Sequence, residues 1–179
     1  MAAFTVIDHT ELAAAASSWD VTSIPTDGTY DHLLVKVSAR TDKATGPGWA
    51  DALTFLNADT GNNYSTTLLY AQGAVPYSHR QSSHGDIEFL YCPSAVATAA
   101  TFGSTTVWIP HYANTDNYKQ IINRSAQEAA STTANDWYLT VSASLWQDTS
   151  AIDQITLTAD ASADFVQYST FTLYGVTGA

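Results

Sequence analysis

Apolar and polar residues alternate along most of this chain, which is the pattern of strands that bury one face. The alternation is clearest from Leu33 to Arg40, and it recurs around Ile87, around Val107 and from Tyr138 to Trp146. Threonine, tyrosine and tryptophan, which favour strands, are frequent, and clusters of Gly, Pro, Asn and Asp separate the alternating segments. The pattern predicts an all-β fold, a single jelly-roll-like antiparallel β-sandwich of about 8–10 strands.

Three connections interrupt the alternation and are predicted to be loops: 43–49, 71–85 and 111–117. Residues Thr10 to Ala16 are typical of a helical turn, because leucine and alanine dominate them. The first 17 residues are alanine-rich and weakly patterned. We therefore predict an N-terminal segment over 1–17 and the β-sandwich domain over 18–179.

The charge of the chain excludes several classes of partner. Its net charge is −11, and its six lysine and arginine residues are scattered. Nucleic-acid binding needs a basic stripe, so we expect no nucleic-acid partner, and anionic membrane surfaces are disfavoured for the same reason. No apolar run is long enough to span a bilayer, so we expect no membrane insertion.

Two features of the sequence, its cysteine content and its first residues, indicate the cellular compartment in which the protein is made. The one cysteine, Cys92, lies in an apolar run and is predicted to be a small buried side chain. No internal disulfide can form, and the segment Met1-Ala2-Ala3-Phe4 has no signal-peptide pattern. We therefore expect synthesis in the cytoplasm.

The sequence carries no specific catalytic motif, although its many Ser, His and Asp residues leave a triad open on composition, since triads are recognised by geometry. Asp86 and Glu88 would share one face of a strand, which leaves open a carboxylate pair of the kind that glycosidases use. A solvated outer face of the strand also explains them. His79, His84 and Asp86 are metal-ligand types at a spacing that matches no known site. We predict a protein that is not an enzyme, with no cofactor and no metal.

The aromatic residues are the stronger functional signal. The chain has five tryptophans and ten tyrosines, which suit sugar stacking as well as core packing. Trp108 and Trp146 lie in alternating strands and are expected in the core. Trp49 and Tyr112 lie in loops, and with His79 and His84 they form the predicted recognition surface.

Several segments in the same order resemble small virion proteins of tailed bacteriophages. They include Ser23-Ile24-Pro25, Leu145-Trp146-Gln147-Asp148 and Leu173-Tyr174-Gly175, together with residues 30–42, 53–65 and 101–104. The resemblance implies a virion location and a non-enzymatic structural role, above all as a capsid decoration (cement) or head-fibre protein. The alternative that it leaves open is a tail-associated receptor-binding or carbohydrate-binding module.

The resemblance also implies partners. These are other virion proteins, either the major capsid protein or tail components, and further copies of the chain, expected as a homotrimer because capsids offer three-fold positions. In the structural role, segment 1–17 is the candidate particle anchor. A host surface glycan is the ligand expected in the alternative, in which loops 43–49, 71–85 and 111–117 would cluster at one end of the sandwich. No catalytic residue follows from the resemblance.

Overall fold

The structure, a computed structural model, describes residues 3–128, 137–160 and 163–178. The described residues contain no helix. They form β1 (Ala3–Glu11), β2 (Ser18–Val21), β3 (His32–Ala39), β4 (Trp49–Leu56), β5 (Tyr64–Gln72), β6 (Val75–His84), β7 (Ile87–Pro93), β8 (Gly103–Pro110), β9 (Lys119–Gln127), β10 (Tyr138–Trp146), β11 (Ile155–Ala159) and β12 (Thr170–Thr177).

These strands form two antiparallel sheets of unequal size. The large sheet has the order β1-β12-β3-β8-β9-β10-β5-β6, and the small sheet has the order β2-β11-β4-β7. The predicted all-β antiparallel sandwich is confirmed, with twelve strands in the described residues in place of the predicted 8–10. Since the large sheet has eight strands and the small sheet four, part of the large sheet has no partner opposite it.

The additional strand β6 occupies most of the segment predicted to be the loop 71–85. It pairs with β5 in a hairpin that turns after Gln72, so the loop prediction was wrong here. Tyr77, His79 and Gln81 alternate with Ser78 and Arg80, but neither set is apolar. The strand buries neither face, so it lacks the hydrophobic period that reveals a strand in a sequence.

The N-terminal residues also belong to the large sheet. From Ala3 to Glu11 they pair with β12 as an edge strand, with a bulge between Val6 and Asp8. The helical turn expected over 10–16 is not formed, because Thr10 and Glu11 still pair with β12 and Ala16 bridges Phe165. Backbone pairing thus overrides the local helix preference. Residues 1 and 2 of the predicted anchor segment lie outside the described residues.

The main core lies between the two sheets. Alternate residues of β3 enter it, and Trp19 stacks on Phe171 with ring centroids 5.4 Å apart. Trp146 is buried there as predicted, whereas Trp108 is half-buried and packs on His32. Cys92 is buried as predicted, and its Sγ donates to the carbonyl of Ala50.

A second, smaller cluster lies at the edge of the small sheet, where β7 is the last strand. Leu68, Tyr91 and Tyr138 are buried in it, and Trp49 and Tyr70 pack against them. This cluster packs β5 and β10 of the large sheet against the side of β4 and β7 that faces away from the main core. A cleft opens beside it.

Candidate functional site

A cleft of about 310 Å³ opens between the edge of the small sheet and the outer strands of the large sheet. We call it the aromatic cleft. The small sheet contributes Trp49, Glu88 and Tyr91. The large sheet contributes Leu68, Tyr70, His79, Gln81 and Tyr138.

Strand register explains why these side chains face one another. His79 and Gln81 of β6 pair with Leu68 and Thr66 of β5, so the exposed strand continues the inward face of its buried neighbour. Trp49 and Asp51 share one face of β4, since successive residues alternate, and Asp51 is paired with Tyr91.

The loop before Trp49 is fixed by hydrogen bonds. The carbonyl of Gly48 accepts from the side-chain nitrogen of Gln127 at 2.8 Å and from the backbone nitrogen of Ser94 at 3.1 Å. The Ser94 hydroxyl donates to the carbonyl of Pro47 at 2.9 Å. A loop held at three points presents Trp49 in one orientation, which lowers the entropy lost on binding a ligand.

Five rings form a continuous ladder, of which four line the cleft and the fifth, Tyr77, lies next to it. Trp49 contacts Tyr91 and Tyr138 with centroid distances of 5.2 and 5.0 Å. Tyr138 stacks on Tyr70 at 5.9 Å, and Tyr70 stacks on Tyr77 at 5.1 Å. The ladder begins at buried rings and ends at the exposed Tyr77. Such a gradient offers flat apolar faces next to solvent.

Polar groups line the same cleft. The side-chain nitrogen of Gln81 donates to Glu88 Oε2 at 2.7 Å, which fixes the carboxylate in place. Burial raises the pKa of Tyr91 and of Tyr138, and nearby charges, including that of Asp51, act in the same direction. Both phenols therefore stay neutral at physiological pH and keep a hydroxyl for hydrogen bonding.

Asp51 is the most perturbed carboxyl group beside the cleft. Burial, followed by the charges of Glu88 and Asp160, raises the pKa of Asp51 to about 7. Lys43 opposes this rise, and it also forms an ion pair with Asp160. Asp51 thus exchanges its proton near neutrality, and such groups concentrate at functional sites.

Three of the four predicted recognition residues lie in this region. Trp49 and His79 line the cleft. His84 adjoins it, because its Nε2 lies 3.6 Å from Glu88 Oε1. His79 and His84 were drawn from a predicted loop, but the structure places both on β6.

The fourth residue, Tyr112, lies elsewhere. Its side chain is 0% exposed, and its hydroxyl donates to the carbonyl of Pro25. It follows the end of β8, whereas Trp49 contacts Tyr138 at the start of β10, which pairs with the end of β5. Loop 111–117 is therefore at the opposite end from loop 43–49, and the three predicted loops do not cluster.

Sequence reasoning missed most of the cleft. Tyr70, Tyr91 and Tyr138 are ordinary strand residues in the sequence, and Asp51 sits in an apolar stretch. The sequence did hold one signal for the cleft. Tyr77, His79 and Gln81 lie two residues apart, so a strand would place these aromatic and hydrogen-bonding side chains on one face. Asp86 and Glu88, considered as a carboxylate pair, both lie beside His84.

Comparison with known proteins yields little. No protein-family model and no curated protein matches the sequence. Among solved structures, the chain is similar to the carbohydrate recognition domain of Emp47p, with 7% identity and a TM-score of 0.33 over 98% of this chain and 87% of that one. A similarity of this size carries no argument about function. The described residues contain no helix with the length and hydropathy needed to cross a membrane.

Proposed function

We propose that this protein is a non-enzymatic carbohydrate-binding module whose ligand occupies the aromatic cleft. The observation that carries the proposal is the ladder of Trp49, Tyr91, Tyr138, Tyr70 and Tyr77 beside the Gln81–Glu88 pair. Sugars present apolar C–H faces and a rim of hydroxyls, so they need stacking rings and hydrogen-bonding groups in the same site.

The charge of the cleft narrows the class of sugar. Glu88 lines the cleft and Asp51 lies beside it, while none of the described lining residues is lysine or arginine. Anionic sugars would meet the Glu88 carboxylate with no lysine or arginine among those lining residues to offset it, so neutral sugars are favoured. The volume, about 310 Å³, is at the lower end of ligand clefts, so a mono- or disaccharide unit is the expected occupant.

Glycan-array screening followed by calorimetry on the best neutral ligand tests the proposal. Trp49→Ala should weaken binding about five- to tenfold, because loss of a stacking ring costs about 1–1.4 kcal/mol. Trp108→Ala is the matched control, since Trp108 is a half-buried tryptophan that packs on His32, away from the cleft. An array without signal would refute carbohydrate binding, and an equal loss in both variants would refute the aromatic cleft as the binding site.

A second candidate is a structural role on a tailed-phage particle, as the resemblance implies. The large sheet carries an exposed apolar patch on its outer face, where Leu69 is 63% and Leu139 60% exposed and Val141 and Ile122 lie beside them. Exposed patches of this kind mark protein contact surfaces. We propose that the patch joins copies of the chain on the capsid, as decoration or head fibre, or on the tail.

Two measurements test this candidate. Light scattering should give three times the mass of the chain for a trimer, and Leu139→Lys should reduce it to one chain. Labelled antibody on purified particles should mark the capsid for decoration or the tail for host recognition. If the protein is a monomer and is absent from particles, the proposed structural role is refuted, while the proposal of carbohydrate binding stands.

A further inference from the structure

The turn between β6 and β7 brings three metal-ligand side chains together. His84 is the last residue of β6, Asp86 lies in the turn, and Glu88 is the second residue of β7. Ser83 has a φ of 57°, a left-handed conformation that redirects the chain. A Cβ on Gly85 would lie 3.2 Å from the carbonyl oxygen of Thr60, so the turn is packed closely against its neighbour.

The distances in this cluster suit a divalent ion. One ligand atom from each of His84, Asp86 and Glu88 lies within 4.8 Å of the others. His84 Nδ1 is 3.4 Å from Asp86 Oδ1. Two ligands at the usual zinc distances, about 2.0–2.1 Å in tetrahedral geometry, are separated by about 3.4 Å. An ion between these two atoms would therefore need almost no movement of either side chain.

In the described part of the chain, these two atoms contact each other at ion-pair distance. His84 Nδ1 and Asp86 Oδ1 are shielded from solvent, but the contact between them does not meet the geometry of a hydrogen bond. Buried polar atoms are nearly always paired, so two that face each other without a hydrogen bond call for an explanation. A shared cation would satisfy both.

Glu88 is the nearest candidate for the third position. Its Oε2 accepts the hydrogen bond from Gln81, and its Oε1 lies 3.6 Å from His84 Nε2, the ring nitrogen that does not face Asp86. One ligand atom of Glu88 lies within 4.8 Å of those of His84 and Asp86, so its carboxylate has to shift toward Asp86 to reach an ion on Nδ1. Hydrogen bonds to the second oxygen of a carboxylate are the usual means of orienting a metal ligand. Gln81 therefore acts as a positioning residue for this cluster.

We propose that His84, Asp86 and Glu88 bind a divalent first-row transition ion such as Zn²⁺ at the rim of the aromatic cleft. Imidazole with carboxylates suits such ions better than Ca²⁺, which prefers oxygen ligands alone. His84 is 36% and Glu88 27% exposed, so a fourth position would face solvent and take a water or a ligand hydroxyl. The site stands on its own geometry and does not depend on carbohydrate binding.

Calorimetric titration of the EDTA-treated full chain with ZnCl₂, and in parallel with CaCl₂, tests the site. We expect one Zn²⁺ per chain, and affinity reduced at least about tenfold in His84→Ala and in the isosteric Asp86→Asn. Glu88→Gln should also weaken zinc binding. His9→Ala is the matched control, because it removes an exposed histidine from β1 at the far edge of the same sheet and should change nothing.

Three results would overturn the proposal: no zinc binding by the wild type, equal binding in His84→Ala and wild type, or binding of Ca²⁺ alone. In the first case, a loss of thermal stability in Asp86→Asn would identify the cluster as an ion pair of protonated His84. Zinc binding without any glycan binding would support this site while removing the proposed carbohydrate function, so the two proposals fail separately.

Discussion

Trp49 and Tyr112 both follow a proline by two residues and were both predicted to lie in loops. Tyr112 lies just after β8, whereas the structure places Trp49 at the start of β4, and the two have different surroundings at opposite ends of the sandwich. Tyr112 is enclosed by the main core, its hydroxyl is bonded to Pro25, and its carbonyl accepts from Ile152. Trp49 packs on the second cluster, beside the aromatic cleft. Tyr112 is closed in by Pro25 and Ile152, whereas Trp49 lies beside the edge strand β7 and faces β5, β6 and β10 of the large sheet across the cleft. Two aromatic residues in similar local sequence thus become core or binding surface according to what the rest of the fold places over them.

The largest effect expected is the loss of the Tyr112 ring. Tyr112→Ala should lower the free energy of unfolding by about 3–5 kcal/mol, because a fully buried ring leaves a cavity. Trp49→Ala should lower it by clearly less, since that ring is only half-buried. Urea denaturation of the two variants measures the difference. Tyr112→Phe, which loses only the bond to Pro25, should cost about 1 kcal/mol. Equal losses in the two alanine variants would contradict the comparison.

The next effect concerns pH at the cleft end. Because Asp51 binds its proton more tightly in the folded state, its contribution to stability is greatest below its ordinary pKa of 3.8 and is lost as the pH rises to about 7. The loss amounts to at most about 4 kcal/mol. Asp51→Asn should therefore be more stable than the wild type above pH 7, with the difference vanishing near pH 4. Parallel stability curves for the two proteins would show that Asp51 is not buried as described.

A smaller effect probes the packing at the Tyr112 end. A Cβ on Gly175 would clash with the ring of Tyr30, because it would lie 2.3 Å from Cγ. Gly175→Ala should cost about 1–3 kcal/mol, since Tyr30 must leave its place. Adding Tyr30→Ala should make the glycine substitution nearly neutral, which a double-mutant cycle measures. An additive double mutant would mean that the two residues do not touch.

The smallest effect is expected at the outer end of the ring ladder. Tyr77 is 43% exposed, so Tyr77→Ala should change stability by no more than about 0.5 kcal/mol. It should nevertheless weaken glycan binding severalfold, because it removes a stacking face. Tyr168→Ala, which removes an exposed tyrosine outside the cleft, is the control for calorimetry. If both variants bind alike, the ladder ends at Tyr70.

The sequence predicts the fold better than the site, for physical reasons visible in particular residues. Strands such as β3 and β10 bury one face, so the alternation of apolar and polar residues in the sequence identifies them as strands. Strand β6 buries neither face and was predicted to be a loop. The burial of Tyr112 depends on Pro25 and Ile152, which are distant in sequence. His79, His84 and Asp86 were considered as metal ligands, but the turn at Gly85 brings Glu88, and not His79, to His84.

Cys92 gives the molecule a practical property. Burial raises the pKa of its thiol to about 12, so it stays protonated and beyond the reach of alkylating reagents in the folded state. It is the one cysteine of the chain. A cysteine placed at His79 or at Leu139 would therefore be the single reactive thiol, and a fluorophore attached there would report separately on the cleft or on the apolar outer face.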